Sequence, residues 1–190
     1  MPFKRFRALA LTAFPLLVGS LAPAHAAAIL LNFSGGSGSP LTITLAQPVT
    51  YTIDVAPTGG ILFDFESVAN LFGGTVNLSG TMTYTINGGT PISIDRFSNG
   101  TTGGTIAATD FVLFKQPASA AALGNVVVLS PGTLTTAINI AAAAPASGSY
   151  SAILVDQTGT QVAVGVPEPA AISLLVFGGL CCLARRRRTA

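Results

Sequence analysis

Polar and apolar residues alternate one by one through much of this chain. The alternation runs through Leu41-Thr42-Ile43-Thr44-Leu45, Val49-Thr50-Tyr51-Thr52-Ile53-Asp54-Val55, Thr81–Ile86 and Ile92-Ser93-Ile94-Asp95. A period of two puts successive side chains on opposite faces of an extended strand, one for a core and one for water. Thr, Val, Ile and Tyr dominate these stretches, and they suit a pleated, half-buried surface. Further strands are expected at Ile29–Phe33, Ile61–Phe65, Phe111–Lys115, Val126–Leu129, Leu134–Ile140, Tyr150–Val155 and Gln161–Val164. Asn87-Gly88-Gly89 and Asp156-Gln157-Thr158-Gly159 read as hairpin turns, because Asn and Gly tolerate positive φ. Asn99-Gly100 ends another strand, and Ala141–Ala146 reads as a loop. A helical turn is the competing expectation for Glu66–Phe72 and for Ala118–Leu123. The expected fold class is all-β, an antiparallel β-sandwich or distorted barrel.

Charge is scarce and unevenly placed. Charged residues make up 8% of the 190 residues, against about 25% in an ordinary soluble domain. The pI is near 8.8, which raises nucleic acid as a partner. The positions answer that question. Lys4, Arg5 and Arg7 lie at one end and Arg185, Arg186, Arg187 and Arg188 at the other, leaving Arg96 and Lys115 between them. Residues 27–166 hold those two cations against Asp54, Asp64, Glu66, Asp95, Asp110 and Asp156, a net charge of −4. Such a segment has no basic face for nucleic acid.

The cations mark two membrane signals. At the N-terminus a basic stretch precedes the apolar run Ala8–Leu21, and small residues follow, ending in Ala24-His25-Ala26. This is the pattern of a secretory signal peptide with cleavage after Ala26, at a site set by Ala24 and Ala26. No lipobox cysteine follows it. At the C-terminus Val166-Pro167-Glu168-Pro169 precedes the 15-residue apolar run Ala170–Ala184 and then four arginines. As a helix that run is about 22 Å long, short against a bilayer core of about 30 Å. Arginines directly after it read as cytoplasmic and as a stop and topology signal. Cys181 and Cys182 lie inside the run, so the exported part has no cysteine for an internal disulfide.

Motif, short helix and arginine tail in this order resemble the PEP-CTERM sorting signal. The resemblance covers only about 25 residues and is silent on the rest of the fold. It implies export by a Gram-negative cell through the Sec machinery and a transient inner-membrane anchor. It also implies recognition by exosortase, cleavage near the motif, and delivery to the cell surface or an exopolysaccharide matrix. The nucleophile in that chemistry belongs to exosortase, and this chain is the substrate. The expected division is then 1–26 signal peptide, 27–165 exported β-rich domain and 166–190 sorting signal with a transmembrane helix at 170–184.

Within the exported segment the residues argue against an enzyme. His25, the single histidine, leaves with the signal peptide, and no cysteine lies between Ala27 and Pro169. Ser-His-Asp and Cys-His catalysis and the usual zinc sites are therefore excluded there. No phosphate-binding or dinucleotide fingerprint is present, and no cofactor is expected. Asp64 and Glu66, two apart on one strand face, are the only paired carboxylates. They are weak candidates for a Ca²⁺ site or a glycosidase pair, and a solvated strand face is the plainer expectation. Tyr51, Tyr84, Tyr150, Phe63, Phe65, Phe72, Phe97, Phe111 and Phe114 are expected mainly in the core, with sugar stacking as the alternative if exposed. Asp95 and Arg96 are adjacent and, if extended, point to opposite faces. The function expected is that of an exported, exosortase-processed surface or matrix protein with a structural or interaction role. The alternative is a carbohydrate- or calcium-binding surface module, with glycoside hydrolysis a distant third.

Overall fold

The computed structural model describes residues 28–66, 68, 71, 74–100, 106, 107 and 109–167. These form, in chain order, β1 (Ala28–Gly35), β2 (Ser39–Leu45), β3 (Val49–Thr52), β4 (Ile61–Phe65), β5 (Thr75–Gly80), β6 (Thr83–Ile86), β7 (Ile92–Ser93), β8 (Arg96–Asn99), β9 (Phe111–Phe114), β10 (Val126–Leu129), β11 (Gly132–Ile140), β12 (Gly148–Asp156) and β13 (Gln161–Pro167). No helix occurs among the described residues. Every ladder is antiparallel.

Eight strands close on themselves in the order β1-β2-β11-β5-β8-β9-β4-β12, and β12 returns to β1 through Ala28↔Ser151 to Leu31↔Gly148. The structure thus resolves the expected alternatives toward a barrel. Closure removes the exposed edges that an open sheet would leave. Five more strands branch from the second half of β12, in the order β13-β3-β10-β6-β7. The branching works because β12 hands over one edge along its length. Gly148–Ser151 pairs with β1, Ile153–Val155 pairs with β13, and Ala152–Asp156 pairs with β4.

The alternation seen in the sequence becomes the inside and outside of this sheet. Leu41, Ile43 and Leu45 of β2 are buried while Thr42 and Thr44 lie on the outer face. Two groups of rings fill the interior. Phe111 lies 4.4 Å from Phe97, 5.8 Å from Phe33 and 5.9 Å from Phe65. Phe63 lies 5.6 Å from Tyr51 and 5.0 Å from Tyr84, under the branch strands. The groups meet at β4, which supplies Phe65 to one and Phe63 to the other. All but the tilted Phe97–Phe111 pair meet edge-on, and such contacts add about 0.5–1.5 kcal/mol per pair beyond the buried area. Gly165 makes the junction possible, since a Cβ there would fall 2.7 Å from the Tyr51 ring.

The local expectations fare unevenly. β4 and β10 match their expected spans, and Asn87-Gly88 turns β6 into β7 with φ of +52° and +67°. β3 stops at Thr52, short of Val55. β5 is a strand that alternation did not mark, because Thr75–Gly80 sits among glycines. Ala118–Leu123 is not helical. Ala120 instead bridges Gly60 across strands. Glu66 is a turn residue, and most of the segment after it lies outside the described residues.

Candidate functional site

The outer face of β4, β8 and β9 carries a cleft of about 410 Å³. Its floor is apolar, from Leu62 of β4 and Val112 and Phe114 of β9. Register puts Ser98 opposite Val112 on β8, on the same outward face. Asn99, Gly100 and Ile106 complete one side, and the β12–β13 turn, Gln157-Thr158-Gly159, forms the other. No lining residue carries a formal charge.

A buried polar residue lies at each side of the cleft. On one side, Asp156 is 2% exposed and accepts N–H bonds from Thr58, Thr158 and Thr160 at 2.9–3.0 Å, with the Thr158 hydroxyl donating at 2.6 Å. Burial pushes its carboxyl up, yet the Thr158 hydroxyl and the N–H groups of Thr58, Thr160 and Thr158 together hold it below the usual carboxylate range. Gly159 takes the left-handed conformation, φ +80°, that closes this turn. On the other side, Asn99 accepts the Leu71 N–H at 3.0 Å and donates to the Asp110 carbonyl at 3.2 Å. Asp110 accepts the Ala107 N–H at 2.9 Å. The polar groups left for a ligand are the exposed Gln157 amide, which makes no hydrogen bond within the described residues, and the lone pairs of the Ser98 hydroxyl, whose hydrogen goes to Gly74 or Asn99 carbonyls.

The expected carboxylate pair sits beside this cleft without lining it. Asp64 lies on the outer face of β4 and is 3% exposed, whereas Glu66 is the turn residue just past the strand and lies in solvent. Phe65↔Phe111 is the last paired position, so β9 brings Asp110 alongside them. Burial pushes the Asp64 carboxyl up to about 7, reinforced by the charges of Asp110 and then Glu66. Its Oδ1 has no hydrogen-bond partner. Among the described residues no three acidic, His or Cys side chains are grouped to hold a metal ion. Asp110 was invisible as a neighbour in sequence, 44 positions from Glu66, because only barrel register joins them.

Most of the aromatic residues are core. Tyr51, Tyr84, Phe63, Phe65, Phe97 and Phe111 are fully buried, whereas Phe114 and Tyr150 are partly exposed. Phe72 lies outside the described residues. Asp95 and Arg96 do meet, Oδ1 to Nη1 at 3.8 Å, because Asp95 lies between strands rather than in one. Asp95 is also paired with Lys115 and accepts the Gln116 N–H at 2.9 Å. Val166 and Pro167 belong to β13, paired with Thr50 and Val49. Ala24, Ala26, Glu168, Pro169, the run 170–184 and Arg185–Arg188 lie outside the described residues. No family model, curated protein or solved structure matches this chain.

Proposed function

We propose that this chain is an exported protein, sorted through its C-terminal signal and delivered to the cell surface or an extracellular polysaccharide matrix. In this reading residues 1–26 direct Sec export, the apolar run 170–184 holds the precursor in the inner membrane, and exosortase cuts near Pro167-Glu168-Pro169. The observation that carries it is the ordered set of motif, short apolar run and four arginines, whose first residues, Val166 and Pro167, close β13. The two prolines fix φ and favour an extended backbone, a form that a peptidase cleft binds at low ordering cost. In this reading the barrel acts by binding or by building, and residues 27–166 contain neither His nor Cys for Ser-His-Asp or Cys-His chemistry.

Mass spectrometry of the protein recovered from the cell surface tests the proposal. A C-terminus near the motif, with residues 170–190 gone, is the expected result. Recovery of the intact tail on surface material overturns it. Replacing Pro167 and Pro169 together with Ala is expected to leave precursor in the membrane fraction.

A further inference from the structure

We infer that the cleft over Leu62, Val112 and Phe114 binds a neutral saccharide. This deepens the interaction role proposed above, but it stands on the barrel alone and does not depend on how the C-terminus is processed.

The lining excludes the other ligand classes. A charged ligand would lose hydration against a lining that carries no formal charge, and Asp156, beneath the Gln157–Gly159 turn, is saturated by its own turn. A purely apolar ligand would cover the Gln157 amide without giving it a partner, which is itself unfavourable. A sugar meets both demands. One face of a pyranose ring is made of C–H groups, which fit against the partly exposed Phe114 ring and the Leu62 and Val112 side chains. Its hydroxyls both donate and accept, so they reach the Gln157 amide and the Ser98 oxygen at the rim. A volume of about 410 Å³ lies in the lower part of the ~300–1,000 Å³ range of small-molecule sites. That gives room for a short segment of a glycan.

The placement of rigidity supports the same conclusion. The floor is strand, the Gln157–Gly159 turn is pinned by the N–H bonds that Asp156 accepts, and Asn99 is tied to Leu71 and Asp110. Binding therefore orders little, which matters for a weakly held ligand such as a sugar.

The test is isothermal titration of the full chain, purified in a non-glycosidic detergent. The probes are cellopentaose, laminaripentaose and maltopentaose as neutral sugars, and an alginate oligomer as an anionic one. At least one neutral probe is expected to bind and the alginate not to. Phe114→Leu keeps an apolar side chain and removes the ring, and Gln157→Ala removes the amide of an exposed turn residue that lies over Gly59. Each is expected to weaken binding by about five-fold or more, the size of one lost contact of this kind, with an unchanged melting temperature. Absence of binding to all three neutral sugars overturns the inference. So does binding that neither variant changes, or preferential binding of alginate. The C-terminus read by mass spectrometry reports on sorting separately, so failure of one reading leaves the other intact.

Discussion

The barrel has two unlike walls. β1, β2, β11 and β5 contain no charged residue. Their outward positions form hydroxyl and amide rows, Ser34–Thr42–Thr135–Ser79 and Asn32–Thr44–Thr133, with Thr–Thr oxygens 3.3 Å apart in both rows. Thr136, buried at the bulge of β11, is satisfied twice, by the Leu41 N–H and the Ile138 carbonyl. The opposite wall, β8, β9, β4 and β12, breaks those rules. It carries Arg96, Asp64 and Asp156, buries both faces at Ala152–Asp156, and leaves the Asp64 Oδ1 unpartnered. On this wall β4, β9 and the second half of β12 lose the alternation because both of their faces are buried, and the cleft lies beside them.

The largest expected effect comes from the ring at which this second wall meets the first. Phe111→Ala opens a cavity between Phe33 of β1 and Phe65 and Phe97 of the charged wall. It should cost about 3–5 kcal/mol, read as a drop in the urea midpoint with an unchanged slope. A loss under ~1 kcal/mol would mean that the walls are packed independently.

Asp64 should give the second wall a pH dependence that the first lacks. Its carboxyl, near 3.8 when unperturbed, is raised to about 7 in the folded chain. The folded state keeps a proton that the unfolded chain releases above about pH 4. Stability is therefore lost as pH rises from about 4 through 7, by ~2–4 kcal/mol. Asp95 and Asp156, both held low, contribute in the opposite sense, and their share is lost only as pH falls below the ordinary carboxylate range. Asp64→Asn should flatten the alkaline decline in melting temperature between pH 5 and pH 8. An unchanged decline would place the titrating group elsewhere.

The smallest effect is expected on the plain wall. Thr42→Val with Thr135→Val removes one hydroxyl pair and should shift stability by no more than about 0.5 kcal/mol. A larger loss would make the hydroxyl rows a stabilising network rather than a solvated surface.

What the chain discloses in one dimension follows the same divide. The strands of the plain wall are legible except β5, since Thr42, Thr44 and their apolar neighbours alternate without interruption. Closure is not legible, because it rests on pairs such as Ala28↔Ser151 that no local pattern records. The cleft is less legible still. Gln157-Thr158-Gly159 reads only as a turn, and Leu62, Ser98 and Phe114 read as ordinary strand residues until register gathers them. Asp64 reads as half of a pair with Glu66, yet the fold buries it, and its neighbour Asp110 arrives just ahead of a distant strand, β9.

The position of β13 has a mechanical consequence. It is an interior strand, bonded to β12 on one side and to β3 on the other. A pull on its C-terminal end along the strand axis loads both ladders in shear, so many hydrogen bonds must fail together. A strand at a free edge, pulled sideways, would peel one bond at a time. The C-terminal end of the described fold is thus the end built to bear a load.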